Sequence, residues 1–376
     1  MTTIAVLALL SVILALVVGW LVPAWVMRRL VPTLEASSSA ANYRGHPVAL
    51  GLGAVWLVWA IALLGASTLV NAVLSCTSVL YGENAPAWLP QLNITPLGTA
   101  LGLAPLLLVV GAFGFGLLDD LFGGGEARGF GGHLRELAHG RMTTGALKML
   151  GIGGLALYYG LFTASNVSRA SEPGGTTFVL FLAAWVCAAL LIALTANFVN
   201  LTDLRPGRAL KSYSGLAVLA IVAAAFHVWP TALQTAERSL PAAAVFAGAA
   251  VACLALLLLG PVFAVWRYDL GERAMLGDAG ANAMGALVGF VIAASVPVWL
   301  LAVATVVMLA LNLTSERVSF SRVIEQTAFL RRLDRIGRLD DGSGDAGGTD
   351  CGMTGGGTDE PACGTMEARD RRDGGS

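Results

Sequence analysis

The sequence carries very little charge: 12% of its 376 residues are Asp, Glu, Lys or Arg, against roughly 25% in soluble domains. Hydrophobic residues make up 56% of the chain and the mean hydropathy is +0.74. A large core does not account for this deficit, because a soluble protein must still present a polar surface to water. The composition therefore excludes a soluble globular protein and fits a chain whose solvent is lipid.

Cysteine and lysine are also scarce. The five cysteines are scattered, with no CxxC pair and no neighbouring histidine pattern, so neither a zinc site nor a disulfide framework is predicted. Lys148 and Lys211 are the only lysines, and arginine carries the rest of the positive charge. The formal net charge of −1 by itself says nothing about nucleic acid, and no nucleic-acid partner is expected.

Long apolar runs are abundant, and each is close to the roughly 20 residues that cross a hydrocarbon core. We therefore predict an all-α, polytopic transmembrane helix bundle of about nine helices. The interruption at Ser295-Val296-Pro297 divides the last apolar stretch into two crossings. The predicted spans are 3–27, 48–70, 96–118, 144–164, 177–197, 212–229, 242–265, 281–295 and 297–313.

The distribution of arginine predicts the orientation, because cytoplasmic loops carry an excess of positive charge. Arg28 and Arg29 follow the first span, and six arginines lie between 317 and 338. The N-terminus is therefore expected outside and the C-terminus in the cytoplasm. We divide the chain into a membrane domain at 1–315, a basic cytoplasmic segment at 316–339 and a Gly- and Asp-rich tail at 340–376. The tail lacks an apolar pattern, so we expect it to be disordered.

The first motif that could carry chemistry is GLLDDLFG, at Gly116–Gly123, where the third span ends. Adjacent helical residues point about 100° apart, so Asp119 and Asp120 would face different neighbours. Carboxylates are unfavourable at a helix C-terminus, and two of them repel each other unless a cation holds them. The pair is either a solvated helix end or part of a cation-binding site.

The second motif, NFVNLTDLRPGRALK, runs from Asn197 to Lys211. If the helix continues through it, Asn197, Asn200 and Asp203 lie on one face and form a hydrogen-bonding platform. Otherwise they are polar residues that close a helix, before the chain turns at Pro206 and Gly207.

The third motif, LGDAGANAMG at 276–285, places Asp278 just before an expected helix, where it would be a good cap. A helix N-terminus attracts anions, and magnesium prefers one or two carboxylates together with phosphate oxygens. Asp278 therefore suits a phosphate held through Mg²⁺. A fourth motif, RGHPVALGLG at 44–53, precedes the second span on the same side of the membrane.

The order of these four motifs, over roughly residues 42–290, resembles the polyprenyl-phosphate N-acetylhexosamine 1-phosphate transferases. That family includes the phospho-N-acetylmuramoyl-pentapeptide transferase of peptidoglycan synthesis. The resemblance implies a Mg²⁺-dependent attack by a polyprenyl phosphate on the β-phosphate of a UDP-amino-sugar, which releases UMP. It implies a multi-pass protein of the bacterial inner membrane that acts in cell-envelope glycan synthesis, and a homodimer is a further expectation.

The resemblance also assigns roles to residues of this chain. Catalytic roles would fall to Asp119, Asp120 and Asp203, and Asp278 and Asp120 would hold the metal, so that the four carboxylates converge on one Mg²⁺-phosphate site. Residues expected to bind substrate are Asn197, Asn200, Lys211, Arg205, Arg208, Lys148 and Arg44.

The chain departs from the family's pattern in several respects, and two of them concern residues of these motifs. Gly123 stands where the family has a lysine, and the family's second aspartate after Asp203 is replaced in the run DLRPGR. An active transferase would then use Lys148, Lys211, Arg205 or Arg208 to neutralise phosphate. A relative that binds lipid phosphate or nucleotide without turnover is the second reading of the same motifs. An unrelated transporter is less favoured, because its acidic residues would be expected nearer the bilayer midplane.

Overall fold

The computed structural model describes residues 2–37, 39–81, 104–123, 129–170, 178–235 and 239–339. The predicted tail at 340–376 lies outside the described residues. Within the described residues the chain is helical apart from turns and one small sheet. The elements are α1 Thr2–Leu16, a π-helical turn Val17–Leu21, α2 Val22–Ser37, β1 Ser39–Ala41, β2 Pro47–Leu50, α3 Ala54–Tyr81, α4 Ala104–Phe122, α5 Gly129–Ala138, α6 Thr144–Ala170, α7 Phe178–Thr202, α8 Arg208–Thr235, α9 Leu240–Leu270, β3 Ala274–Met275, α10 Gly277–Ser295, α11 Val298–Ser315, α12 Phe320–Gln326 and α13 Ala328–Arg335.

Nine segments of the described chain are long and apolar enough to cross a membrane, which confirms the predicted polytopic helix bundle. They are Ala5–Ser37, Ala54–Val73, Pro105–Phe122, Thr144–Ser165, Phe178–Thr202, Arg208–Gln234, Leu240–Leu270, Gly277–Ser295 and Val298–Ser315. Each overlaps one predicted span. The predicted outside N-terminus and cytoplasmic C-terminus stay predictions.

The division of the last apolar stretch into two helices is confirmed. α10 ends at Ser295, Val296 is extended with φ −110° and ψ 151°, and α11 begins at Val298. Pro297 explains the break, because proline disfavours the helical conformation in the residue before it. Two short helices therefore replace one that would be too long for a bilayer.

The central helix of the bundle is α10, of which 89% of the spanning window is buried. Its small residues allow this packing. A Cβ on Gly285 would lie 2.7 Å from the Cα of Ala196, and one on Gly289 would lie 3.0 Å from the Cα of Ile192. Close approach through small residues is typical of helix pairs in membranes, where van der Waals packing drives association. α10 is consequently packed closely against α7, and it also contacts α4 and α8.

The three short strands form a sheet in the order β1-β2-β3 at the start of α3 and α10. β2 pairs antiparallel with β1 and parallel with β3, where Leu50 is paired with Met275. The sheet thereby ties the RGHPVALGLG motif to the LGDAGANAMG motif. We call the end of the bundle that carries this sheet, together with the last turn of α4 and the first turns of α6 and α10, the site end.

Candidate active site

Lys148 lies between two carboxylates from different helices at the site end. Its Nζ donates to Asp119 Oδ2 at 2.5 Å and to Asp278 Oδ2, so that α4, α6 and α10 meet at one ammonium group. The side chains of Lys148 and Asp119 are 14% and 18% exposed, and that of Asp278 is 32% exposed. These three residues form a charged cluster that is partly shielded from water yet open on the Asp278 side.

Asp120 caps the N-terminus of α10 from the neighbouring helix. Its Oδ1 accepts the N–H of Asp278 at 2.9 Å, and its Oδ2 accepts the N–H of Ala279 at 3.0 Å. The expectation that Asp278 caps its own helix is therefore wrong: Asp278 lies inside the first turn, and Leu276, which precedes the helix, makes no side-chain cap bond. Adjacent aspartates thus have separate tasks, since Asp119 faces Lys148 and Asp120 faces the backbone of α10.

Gly277 is required at this contact for two reasons. Its φ of +71° is rarely adopted by L side chains, and a Cβ there would lie 2.7 Å from Asp120 Oδ2 and 2.9 Å from Leu50 Cδ1. Gly116 has a related role on α4, where a Cβ would lie 2.5 Å from the carbonyl oxygen of Asp278. The glycines of the two motifs therefore let α4 and α10 approach closely enough for Asp120 to reach the backbone of α10.

Asp203 lies just beyond α7, which ends at Thr202. Burial raises the pKa of Asp203 well above its ordinary value, and the negative charges of Asp269, Asp278 and Asp120 raise it further, against a hydrogen bond from the Gly277 backbone. Asp203 therefore keeps its proton to a higher pH than a solvated aspartate does. A cation placed beside it would lower that pKa.

Asp203 directly follows the end of α7, and its N–H donates to the carbonyl of Asn200 at 3.1 Å, while the side chains of Asn197 and Asn200 have other surroundings. Asn197 is exposed and its Nδ2 donates to Asn312 Oδ1 at 2.7 Å, which joins α7 to α11. Asn200 has a buried Oδ1 with no hydrogen-bond partner among the described residues. Because the helix does not continue through Asp203, the three residues do not form one continuous helical face.

A small, partly open cleft lies beside Asp203. Its lining combines acidic, aromatic and basic side chains, among them Asn42, Tyr43, Asp203, Arg205, Asp269 and Glu272. The Arg205 guanidinium lies 5.3 Å from the centre of the Tyr43 ring. Arg44 and Arg338 also lie over this ring, at 5.2 and 5.5 Å from its centre, so the cleft offers charged and hydrogen-bonding groups around an already occupied aromatic ring.

Two acidic residues that were not among the predicted site residues line this cleft. Asp269, only 3% exposed, accepts the N–H of Gly207 at 2.6 Å and so fixes the turn after Asp203. Glu272, with an unusual φ of +50°, pairs with Arg44 at 3.2 Å and accepts a hydrogen bond from Asn42 at 3.0 Å. An acidic residue at the end of an apolar span is costly unless it is paired, and that signal could have identified Asp269.

Arg208 and Lys211, predicted to bind substrate, contact the segment that follows the last span. Arg208, 4% exposed, makes two bonds to the Asp334 carboxylate at 2.7 and 3.1 Å, and Lys211 donates to the Asp334 carbonyl at 2.6 Å. Arg205 pairs with Glu325 in the same segment. No sequence signal pointed to Asp334, because a single acid among arginines does not reveal its partner.

We expect acid to release this segment. Burial alone would raise the pKa of Asp334, but hydrogen bonds and charge from Arg208, with the charges of Arg338 and Lys211, lower it below its ordinary value. A lowered pKa stabilises the docked state fully above the unfolded value of about 3.9, and this contribution is lost as the pH falls through the lower folded value.

Hydrogen exchange of residues 320–339, normalised to intrinsic rates, measures this release. Protection should hold from neutral pH down to about 4 and be lost below it, while Asp334→Asn should lower protection already at pH 7. Arg332→Gln, at an exposed position of the same segment, is the matched control and should keep the wild-type profile. Unchanged protection in Asp334→Asn would show that Asp334 does not hold the segment.

A metal ion fits the charged cluster in its donor chemistry. Among the described residues no three His, Cys, Asp or Glu side chains group closely enough to hold a metal on their own. Magnesium does not require such a group, because it binds through one or two carboxylates and completes its shell with water and phosphate oxygens. Asp119 and Asp278 share one ammonium group and thus supply two carboxylates around a single cation position, whereas both oxygens of Asp120 already accept backbone hydrogen bonds.

Comparison with known proteins gives no relative for this chain: no protein-family model matches it, and no curated protein matches its sequence. Function is therefore inferred from the site itself.

The structure brings part of the predicted site together. Asp119, Asp278 and Lys148 are in direct contact, Asp120 joins them through the α10 backbone, and Asp203 lies within electrostatic reach. Among the remaining predicted residues, Asn200 has a side-chain oxygen without a described hydrogen-bond partner. The others contact other groups: Asn197, Arg44, Arg205, Arg208 and Lys211.

Proposed function

We propose that the chain is a magnesium-dependent transferase that moves a sugar 1-phosphate from a UDP-amino-sugar to a polyprenyl phosphate and releases UMP. The observation that carries this proposal is the meeting of Asp119, Asp278 and Lys148 at one end of an apolar bundle. Carboxylates that can hold a cation, a lysine that can pair with phosphate and adjacent lipid are the requirements for joining a lipid phosphate to a nucleotide-sugar.

The charged groups would act mainly by positioning and charge compensation. In the proposed reaction an oxygen of the lipid phosphate attacks the β-phosphorus of the nucleotide-sugar, and the bond from that phosphorus to the bridging oxygen of UMP breaks. Lys148 would pair with phosphate oxygens and leave Asp119 and Asp278 to the metal. When bound, magnesium supplies positive charge that stabilises the pyrophosphate and the leaving UMP.

The adjacent aspartates would divide the remaining work. Asp120 keeps the first turn of α10 in place through its two backbone hydrogen bonds, and thereby positions Asp278. The contacts favour Asp119 over Asp120 as the second metal carboxylate. Asp203, which holds its proton to a higher pH, would give that proton up when cationic groups enter the site.

The nucleotide would occupy the cleft beside Asp203. A base that stacks on Tyr43 would replace one of the guanidinium groups that already lie on this ring. Backbone and carboxylate groups of the cleft can accept its hydrogen bonds. A polyprenyl chain would lie in the bilayer against the apolar outer faces of the spans. The resemblance to the transferase family supports a bacterial inner membrane location and leaves a homodimer as an expectation.

The direct test measures UMP release by the purified protein from UDP-N-acetylglucosamine and other UDP-amino-sugars, with undecaprenyl phosphate as acceptor. We expect release that requires both magnesium and the lipid acceptor and that stops when the metal is chelated. Absence of magnesium-dependent release across several UDP-sugars would rule out the catalytic proposal.

A protein that binds the same substrates without turnover is the second candidate function, and the contacts of the basic residues favour it. Arg205, Arg208 and Lys211 are engaged by Glu325 and Asp334 rather than directed into an open site. Binding of a UDP-sugar or a lipid phosphate without UMP release, in the same preparation, would identify this case.

A further inference from the structure

The segment after the last span has an apolar surface that points away from the protein. Phe329, Leu333 and Ile336 are 73%, 45% and 58% exposed. Phe329 and Leu333 are four residues apart and lie on one side of α13, and Ile336 directly follows its last residue, Arg335. No described side chain covers this surface, which we call the 329/333/336 face.

Anchoring of α13 on its opposite side fixes this orientation. Asp334, 8% exposed, is about 140° around the helix from Phe329 and is bound by Arg208, Arg338 and Lys211. Because the Asp334 side of α13 is bound to the protein, the side that carries the apolar residues faces outward.

The anchors also place α13 level with the ends of the membrane spans. Arg208, which binds Asp334, is the first residue of the spanning segment Arg208–Gln234. The preceding helix α12 packs on α7 through Phe320 and Phe198, whose ring centres are 5.9 Å apart. Only residues 316–319 separate α11 from α12, a reach of at most about 18 Å. An outward apolar face at this level is within reach of the bilayer interface.

Charge indicates which kind of surface this face would meet. The segment 316–339 holds six arginines, at 317, 322, 331, 332, 335 and 338, against three acidic residues, at 316, 325 and 334. Asp334 and Glu325 are already paired with arginines of the bundle and its loops. Arg332 and Arg335 are exposed and form no ion pair with described residues. They lie on one side of the face, about 60° and 120° around the helix from Phe329.

We propose that α13 is an interfacial helix whose 329/333/336 face inserts into the headgroup region of an anionic bilayer, with Arg332 and Arg335 on the lipid phosphates. An amphipathic helix with basic residues beside an apolar face binds membranes in this way, and its binding depends on anionic lipid. The inference concerns a lipid surface and does not depend on the proposed transferase activity.

The test places a polarity-sensitive fluorophore on the full-length protein in vesicles. The five native cysteines are replaced by serine, Phe329→Cys is labelled with a nitrobenzoxadiazole dye, and the protein is reconstituted into phosphatidylcholine with or without about 30% phosphatidylglycerol. We expect a blue-shifted emission and quenching by a lipid-borne quencher, both larger with phosphatidylglycerol. Because both leaflets have the same composition, the direction of insertion does not affect the result.

Matched variants show whether the emission shift comes from the 329/333/336 face or from the segment as a whole. Arg331→Cys, about 200° around the helix from Phe329, should show little shift in either vesicle. Leu333→Cys repeats the measurement at a second position of the face in case Phe329→Cys folds poorly. Arg332→Gln combined with Arg335→Gln should remove the part of the shift that depends on phosphatidylglycerol.

Three results would overturn the proposal. Equal shifts in the two kinds of vesicle would remove the role of the arginines. Access of a water-soluble quencher to position 329 in both vesicles would place the face in water. Self-quenching between labels that grows with the protein-to-lipid ratio would show that a second copy, rather than lipid, covers the face.

Discussion

Asp278→Asn is expected to reduce UMP release by at least about 100-fold, the scale on which loss of one preorganised electrostatic group slows an enzyme. The substitution keeps the size of the side chain and removes its charge. Lys148 would then be paired with Asp119 alone, and a cation between Asp119 and residue 278 would lose half of its carboxylate charge. The measurement is magnesium-dependent UMP release over a range of metal concentrations.

Stability must be measured on the same preparation, because activity can be lost either through the missing carboxylate or through unfolding of the protein. The Asp278 carboxylate contacts Lys148 rather than the backbone of α10, so the thermal midpoint of Asp278→Asn in detergent should stay close to that of the wild type. Glu35→Gln is the matched control: Glu35 is also at the site end and is paired with an arginine, Arg273, yet it does not touch the charged cluster. Wild-type activity in Asp278→Asn would remove Asp278 from the mechanism.

The number of crossings was predictable because lipid imposes a strong rule. Each span must satisfy its own backbone hydrogen bonds and present apolar side chains over the thickness of the bilayer. The break at Pro297 was readable for a local reason, the effect of proline on the residue before it. The ends of the spans were less predictable: the first spanning segment continues to Ser37 instead of ending near 27, because the arginines at its end can lie at the interface while the helix goes on.

The site was predictable as a set of residues but not as a set of contacts. The motifs indicated that Asp119, Asp120 and Asp278 belong together, and the glycines of those motifs indicated close approach. The exchange of roles between Asp120 and Asp278 at the α10 cap depends on how α4 packs against α10, which no local pattern encodes. The same limit applies to Arg208 and Asp334, which are distant in sequence and are paired only because α13 returns to the start of α8.

Asp120→Ala is expected to destabilise the protein more than substitution of either carboxylate of the charged cluster, Asp119 or Asp278. It leaves the N–H groups of Asp278 and Ala279 without their acceptors and removes a negative charge from a helix N-terminus. Loss of a helix cap costs about 0.5–2 kcal/mol, and an unsatisfied buried donor costs about 1–3 kcal/mol. We expect a decrease of about 2 kcal/mol in the free energy of unfolding and a thermal midpoint lower by several degrees, measured in detergent by intrinsic fluorescence.

Asp119→Asn is the matched comparison, because it changes the adjacent carboxylate on the same helix. Asp119 contacts Lys148 and not the backbone of α10, so this variant should lose UMP release while its thermal midpoint changes little. The stability of Asp120→Asn should lie between that of Asp119→Asn and that of Asp120→Ala. Its amide oxygen can still accept one of the two backbone hydrogen bonds, but its NH₂ group faces the other N–H donor. Equal losses of stability in Asp119→Asn and Asp120→Ala would contradict the separate tasks of the two aspartates. In that case the cap on α10 would not be what holds Asp278 beside Lys148.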